Sequence, residues 1–263
     1  MFRVPISDTR HKHGQMRRHV DIIGITFVDM AFDEALAELA RAVDERARRT
    51  VHFANAATLN LAADDPHYRA MLNDADYVYG DGTGVRWAAR LRGVKLQSNL
   101  NGTDLVPALI EGRPGIRVFL LGGTDELIEA ASRRFREHFP QADLVGAHHG
   151  YFDHGDSGGI IAHINATRPD LLLVGFGNPL QERWIATHRH LLDVPLTAGV
   201  GGLFSYWAGT LTRAPEVYRR LGMEWLHILQ KQPHKARRYL IGNPLFLLRM
   251  MSWLPADSGR RAA

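Results

Sequence analysis

Seven short stretches of the chain are rich in apolar and β-branched residues: 21–28 (DIIGITFV), 50–56, 75–80, 117–123 (RVFLLGG), 142–150, 170–177 (DLLLVGFG) and 195–202. Several run apolar without alternation, as strands covered on both faces do. Between them, apolar residues recur every three or four positions over 32–48, 64–75, 82–93, 125–139, 158–168 and 180–192, the spacing of a helix with one buried side. Strands alternating with helices across short Gly, Asp and Asn turns predict an α/β fold, a largely parallel, doubly wound sheet flanked by helices. Past GVGGLFSYWAGTLTRAP the strand pattern stops, and 216–232 and 234–254 read as two or three helices. The expected organisation is a flexible lead-in over 1–20, an α/β core over 21–210 and a helical appendage over 211–263.

With 263 residues, 45% of them hydrophobic, the chain can bury a full core. It has no cysteine, which excludes a disulfide framework and a thiolate metal site. The first 20 residues are basic and polar and lack the apolar segment of a signal peptide. The longest apolar stretch, LIGNPLFLLRMMSWL, is interrupted by Asn243, Pro244 and Arg249, so a spanning helix is not expected. Cytoplasm is the simpler assignment, and any membrane contact is expected to be peripheral. The formal charge of +4 is unevenly spread: from Arg213 onward ten Lys/Arg face Glu216, Glu224 and Asp257, a tail of +7 against −3 for the rest. Basic residues mixed with Trp, Leu, Phe and Met suit an anionic, phosphate-rich surface, and a solvated basic helix accounts for them equally well.

In an open α/β sheet, ligands bind beyond the carboxyl ends of the strands, which points to the loops at Asn55, Asp81 and Asn178. Asp81 sits between ADYVYG and GTGVRW, at a strand end before a helix, where it could act on a ligand or cap the helix. In VFLLGGTDE, Gly122 and Gly123 suit a nucleotide phosphate or ribose, though the full G-x-G-x-x-G fingerprint is missing. GFGNPLQERW has the same outline: Gln181 is expected to face the cleft and Glu182 to favour the helix dipole, with a plain structural turn as the competitor for both segments. The fourteen histidines include no H-x-x-x-H, and the lone Asp-x-Asp, Asp74 to Asp76, opens a strand instead of closing one. No metal site is expected.

The segment HFANAATLNLAADDPHYRAMLNDADYVYGDGTGVRWAARLRG, followed in order by NGTDLV, VFLLGG, VGFGNPLQERWI, AGVGGLFSYWAG, TRAP and LGMEWLHILQKQPHKARRYL, resembles the WecG/TagA/CpsF glycosyltransferases. The resemblance implies an inverting, metal-independent transferase without a cofactor, built on a Rossmann-like core with a C-terminal appendage that docks on the inner face of the plasma membrane. It implies a nucleotide-sugar donor, UDP-linked, and an undecaprenyl-diphosphate-linked acceptor in extracellular polysaccharide synthesis. By motif position Asp81 corresponds to the family's general base, Asn55 to its sugar-contacting Asn and Gln181 to its active-site Gln. Lys235 and Arg238 fall on basic appendage positions thought to meet the diphosphate. The chain departs from the family at Phe53, where Thr is frequent, at Asn99 and Ile228, where Arg is, and at Ser205, where Asp is. These departures argue against an N-acetylmannosamine donor and suggest another sugar such as glucose.

An inverting transfer needs one carboxylate to take the acceptor's proton and positive charge to meet the departing diphosphate. Asp81 and the appendage cations could supply both, whereas glycoside hydrolysis uses two carboxylates. The competing classes are a nucleotide-binding enzyme or regulator of the dehydrogenase type, disfavoured by the missing fingerprint, and a nucleic-acid-binding module, which only the basic tail suggests. Nucleic acid is not an expected partner, and self-association is left open.

Overall fold

The structure is a computed structural model that describes residues 6–10, 16–91, 93–212 and 241–253. The chain begins with a three-stranded antiparallel sheet, β1 (Ile6–Arg10), β2 (Met16–Ile22) and β3 (Ile25–Asp29). Two expectations change here. The stretch 21–28 is a hairpin and not one strand, because Ile23 and Gly24 both take positive φ (54° and 73°), as a tight two-residue turn requires. Asp21 locks that turn by accepting the Gly24 N–H at 3.0 Å. The expected lead-in contains β1 and most of β2, because it carries residues with buried partners. Val20 is fully buried, and Arg17 pairs with Glu38 and lies over the Tyr77 ring.

After α1 (Phe32–Asp44) come β4 (Arg49–Ala54), α2 (Ala56–Asp64), α3 (Pro66–Asn73), β5 (Tyr77–Gly80), α4 (Thr83–Leu91) and α5 (Gly102–Glu111). They are followed by β6 (Arg117–Gly122), α6 (Asp125–His138), β7 (Asp143–His148), α7 (Gly158–Thr167), β8 (Leu171–Gly175), α8 (Leu180–His188), β9 (Leu196–Gly199) and α9 (Leu203–Trp207). The last described helix is α10 (Gly242–Ser252). Strands β4 to β9 form one six-stranded sheet in the order β5-β4-β9-β8-β6-β7, and every pairing is parallel. The small sheet packs beside β5, with the Phe27 ring near Gly80.

Both faces of the large sheet are covered, which is why its strands lack alternation. Val118, Leu120, Leu171 and Leu173 face Leu39, Leu105, Leu109, Phe135 and Phe204 from α1, α5, α6 and α9. Phe119, Leu121, Leu172 and Val174 face Ile160, Ile164, Trp184 and Ile185 from α7 and α8. The helices that follow the neighbouring strands β6 and β8, α6 and α8, thus lie on opposite faces, the topology at which open α/β sheets bind ligands. A third cluster joins Ile22 and Phe27 to Leu59, Tyr68, Leu72 and Val85, and α10 adds Phe246 and Met250 to it.

The C-terminal region was expected to be an appendage. Its described part is fastened to the core, since Arg249 donates to the Asn60 carbonyl at 2.7 Å and to Asp64 at 2.5 Å, while Asn60 Nδ2 donates to the Gly242 carbonyl at 2.7 Å. Among the described residues no helix is long and apolar enough to cross a membrane.

Candidate active site

The site is built from what happens one residue past each strand. Ala54 and Gly80 are register partners, and the Asp81 N–H donates to the Ala54 carbonyl at 2.9 Å. Asn55 and Asp81 therefore leave the sheet side by side. Gly82 turns with φ 89° and donates its N–H to Asn99 Oδ1 at 2.8 Å, which pins the Asp81 loop just before α4. Asn55 caps α2: its Oδ1 accepts the Ala57 and Thr58 N–H groups at 3.0 and 3.3 Å, and Thr58 Oγ1 accepts the Asn55 N–H at 3.2 Å. This reciprocal cap satisfies donors that a helix start leaves unpaired. It also fixes the Asn55 side chain at the strand end.

Facing it is the loop after β8. Asn178 Nδ2 lies 3.0 Å from Thr58 Oγ1, 3.0 Å from Glu182 Oε1 and 3.4 Å from the Tyr68 hydroxyl. Gln181 Nε2 donates to the same Glu182 oxygen at 2.7 Å. Gln181 Oε1 accepts the Gly177 N–H at 3.2 Å and the Gly201 N–H at 2.9 Å, so it ties the loop after β8 to the loop after β9. Gln181 and Glu182 are each only 1% exposed. The expected cleft-facing amide and dipole-facing carboxylate are both turned into the protein. Gly199 makes room for this, because a Cβ there would stand 2.9 Å from His52 Nδ1 and 3.1 Å from Gln181 Nε2.

Burial sets the electrostatics of this corner. Glu182 is pushed up to about 7 by desolvation, with the bonds from Gln181 and the Glu182 N–H opposing only in part. Its Oε2 is buried with no hydrogen-bond partner among the described residues. Tyr68 is raised by burial first and by the Glu182 charge second. His52 is lowered to about 4 by burial and, secondarily, by Arg189, so its imidazole is neutral at physiological pH.

Gly122 and Gly123 lie on the same edge, at the end of β6. With β9 and β8 intervening, they stand roughly 14 Å along the edge from Ala54 at about 4.8 Å per strand. Gly122 has φ 144°, and a Cβ would fall 2.5 Å from the Gly175 carbonyl oxygen, so only glycine fits. Beyond Gly123, with φ 74°, Thr124 caps α6 by accepting the Leu127 N–H at 3.2 Å. The structure thus joins Asn55 to Asp81 and, through Thr58, to Asn178 and Gln181, and sets the glycine pair at the end of β6 beside Gly175, where the loop that carries Asn178 and Gln181 begins. Lys235, Arg238 and Ile228 lie outside the described residues.

The remaining sequence candidates have structural partners. Asp76 accepts from Arg49 at 2.7 Å and from the Thr50 N–H at 2.9 Å, bracing the start of β4 and not the site. Phe53 packs against Gly102, and the Ser205 carbonyl accepts from Leu211 N–H at 2.9 Å. Among the described residues no three His, Asp or Glu side chains come together as a cation site.

Residues 20–259 match the family described as Glycosyl transferase WecG/TagA/CpsF. The chain belongs to this family. It is 31% identical over 212 residues to the N-acetylglucosaminyldiphosphoundecaprenol N-acetyl-beta-D-mannosaminyltransferases of Staphylococcus aureus strains NCTC 8325 / PS 47 and COL, covering 79% of this chain and 83% of each relative. The strain MRSA252 protein is similar to the same extent. The protein is a glycosyltransferase, and the dehydrogenase-class alternative falls away. Thr58, Tyr68 and His52, which the sequence did not single out, stand in this corner of the fold, and Glu182 stands there in place of facing the helix dipole. The spacing Asn55-x-x-Thr58 is the one signal that could have found part of the group, since it fits a reciprocal helix cap.

Proposed function

We propose that this enzyme is an inverting, metal-independent glycosyltransferase that moves a hexosyl or N-acetylhexosaminyl unit from a UDP-sugar to an undecaprenyl-diphosphate-linked acceptor in extracellular polysaccharide synthesis. The observation that carries the reading is the pairing of Asp81 with Asn55 past two hydrogen-bonded parallel strands, in a family whose relatives are named for such an acceptor. Asp81 takes the proton of the acceptor hydroxyl as that oxygen bonds to the anomeric carbon. The bond from that carbon to the diphosphate breaks, and its electron pair leaves with the nucleotide. Asn55 contacts the transferred sugar. Gln181 and Asn178 order the loop over it.

Gly122 and Gly123 let the backbone approach the nucleotide at the end of β6. Lys235 and Arg238 meet diphosphate charge from the basic tail. That tail holds the enzyme on the anionic inner face of the membrane, each Lys or Arg near such a surface contributing about 1 kcal/mol. The departures at Phe53 and Asn99 support a sugar other than N-acetylmannosamine. Incubation with a panel of UDP- and GDP-sugars and short-chain lipid-diphosphate acceptors, with EDTA present and mass spectrometric readout, tests the reading. A lipid product gaining one hexose or N-acetylhexosamine supports it, and no transfer from any donor contradicts it.

A further inference from the structure

We propose that Glu182 is a positioning residue whose carboxylate clamps the loops after β4, β8 and β9 into one unit, setting where Asn55, Asn178 and Gln181 stand. Its activity arm rests on the transferase reading above; its structural arm does not.

The geometry is a hub with two spokes that tie three loops together. One carboxylate oxygen, Glu182 Oε1, accepts from both Gln181 Nε2 (2.7 Å) and Asn178 Nδ2 (3.0 Å). Through Gln181, whose Oε1 holds the Gly177 and Gly201 N–H groups, the hub reaches the loop after β9. Through Asn178 and Thr58 Oγ1 it reaches Asn55, which lies beside Asp81. No other side chain among the described residues is bonded to both Asn178 and Gln181.

A carboxylate in such a place has a cost that packing alone does not explain. Glu182 is 1% exposed, its second oxygen has no partner among the described residues, and the facing Tyr68 ring is fully buried. A buried apolar side chain of similar size serves packing as well or better than a buried charge. What an apolar side chain lacks is an acceptor that two amides can share. A carboxyl oxygen has two lone pairs in fixed directions, so one atom can hold both amides at once, which suits a group that must hold three loops in register.

The test is Glu182→Met, which keeps length and bulk and removes the acceptor. Hydrogen exchange is followed at Gly177 and Gly201, the two amides on Gln181, and at Ala57 and Thr58, the two on Asn55. The proposal expects exchange at all four to rise while α1 and α6 keep their protection and Tm is retained. It expects kcat to fall about tenfold or more with KM for the donor within about threefold, since misplacement of positioned groups by about 1 Å costs on the order of 10² in rate. Unchanged exchange at Gly177 and Gly201 in a folded variant overturns it, as does a wild-type kcat. If the Met variant does not fold, Thr58→Val decides: exchange rising beyond the α2 cap at Gly177 supports the clamp, and a change confined to Ala57 and Thr58 overturns it. A wild-type enzyme that transfers no sugar would refute the transferase reading, while the exchange measurements would still decide on Glu182.

Discussion

Replacing Glu182 by Gln should make the protein more stable at alkaline pH and leave it little changed at acid pH. Burial raises the carboxyl from its usual 4.5 to about 7. As pH climbs past 4.5, the unfolded chain releases this proton while the folded chain keeps it. The stability contributed by the neutral acid is therefore fully present below about 4.5 and is lost as pH rises through about 7. At about 1.36 kcal/mol per pH unit, the interval from 4.5 to about 7 amounts to about 3 kcal/mol. The substituted amide cannot ionise and can still accept from Gln181 and Asn178, so the variant escapes this loss. Urea unfolding of both proteins at pH 4.5, 6 and 8, followed by tryptophan fluorescence, reads the difference directly. The expected gain grows from near zero at pH 4.5 to about 3 kcal/mol at pH 8, or roughly 6–12 °C in Tm for a chain of this size. A variant no more stable than wild type at pH 8, or one whose gain is the same at every pH, would refute the reasoning.

Three further outcomes follow from the same corner of the fold. His52, buried and lowered to about 4, should stay neutral: its ring proton resonance should not titrate between pH 5.5 and 8, and a midpoint near the usual 6.5 would contradict its burial. The neutral imidazole's contribution to stability is present above about 6.5 and is lost as pH falls toward 4. Gly122→Ala should cost about 2–4 kcal/mol in thermal or urea unfolding, because φ 144° and the Gly175 carbonyl 2.5 Å from the new Cβ leave no relaxed position; a cost near zero would show that the turn is free to move. Phe246→Ala should destabilise the whole protein by about 3–5 kcal/mol, since its ring is 3% exposed in the cluster under α2 and α4, and a loss confined to activity would mean that α10 does not stabilise the core.

The large sheet was legible because burial on both faces writes itself into sequence. Leu171 to Val174 must be apolar at every position to meet α6 from one side and α8 from the other. The hairpin at Ile23 and Gly24 was not legible, because an isoleucine rarely accepts positive φ and nothing local announces it. Three helices escaped for different reasons. The sequence of α2 is too uniformly apolar and small to show a face, α5 carries Pro107 in its interior, and α9 has five residues. Strand order was also beyond the pattern, since β9 is inserted between β4 and β8 by tertiary packing alone.

At the site, the turn positions Asn55, Asp81, Gly122, Gly123 and Asn178 could be found, because strand ends before helices are marked by Gly, Asn and Asp. The direction of Gln181 and Glu182 could not. Whether the first turn of α8 faces solvent or sheet depends on how the loop after β8 enters the helix and on the space above Gly199, and neither is a local property of the sequence. Glu182 bonds Asn178 and Gln181, and Asn178 in turn bonds Thr58 and Tyr68 far away in the chain, so its inward placement is a product of the assembled sheet.

The most direct measurement compares wild type with Asp81→Asn on a short-chain lipid-diphosphate acceptor bearing N-acetylglucosamine, using the UDP-sugar that the donor panel selects. Single-turnover rates give the chemical step, and calorimetry gives UDP affinity for each protein. With Asp81 as the base that takes the acceptor proton beside Asn55, the variant should bind UDP like wild type, stay folded, and transfer sugar about 10²- to 10⁴-fold more slowly. Transfer by Asp81→Asn at the wild-type rate would contradict the account.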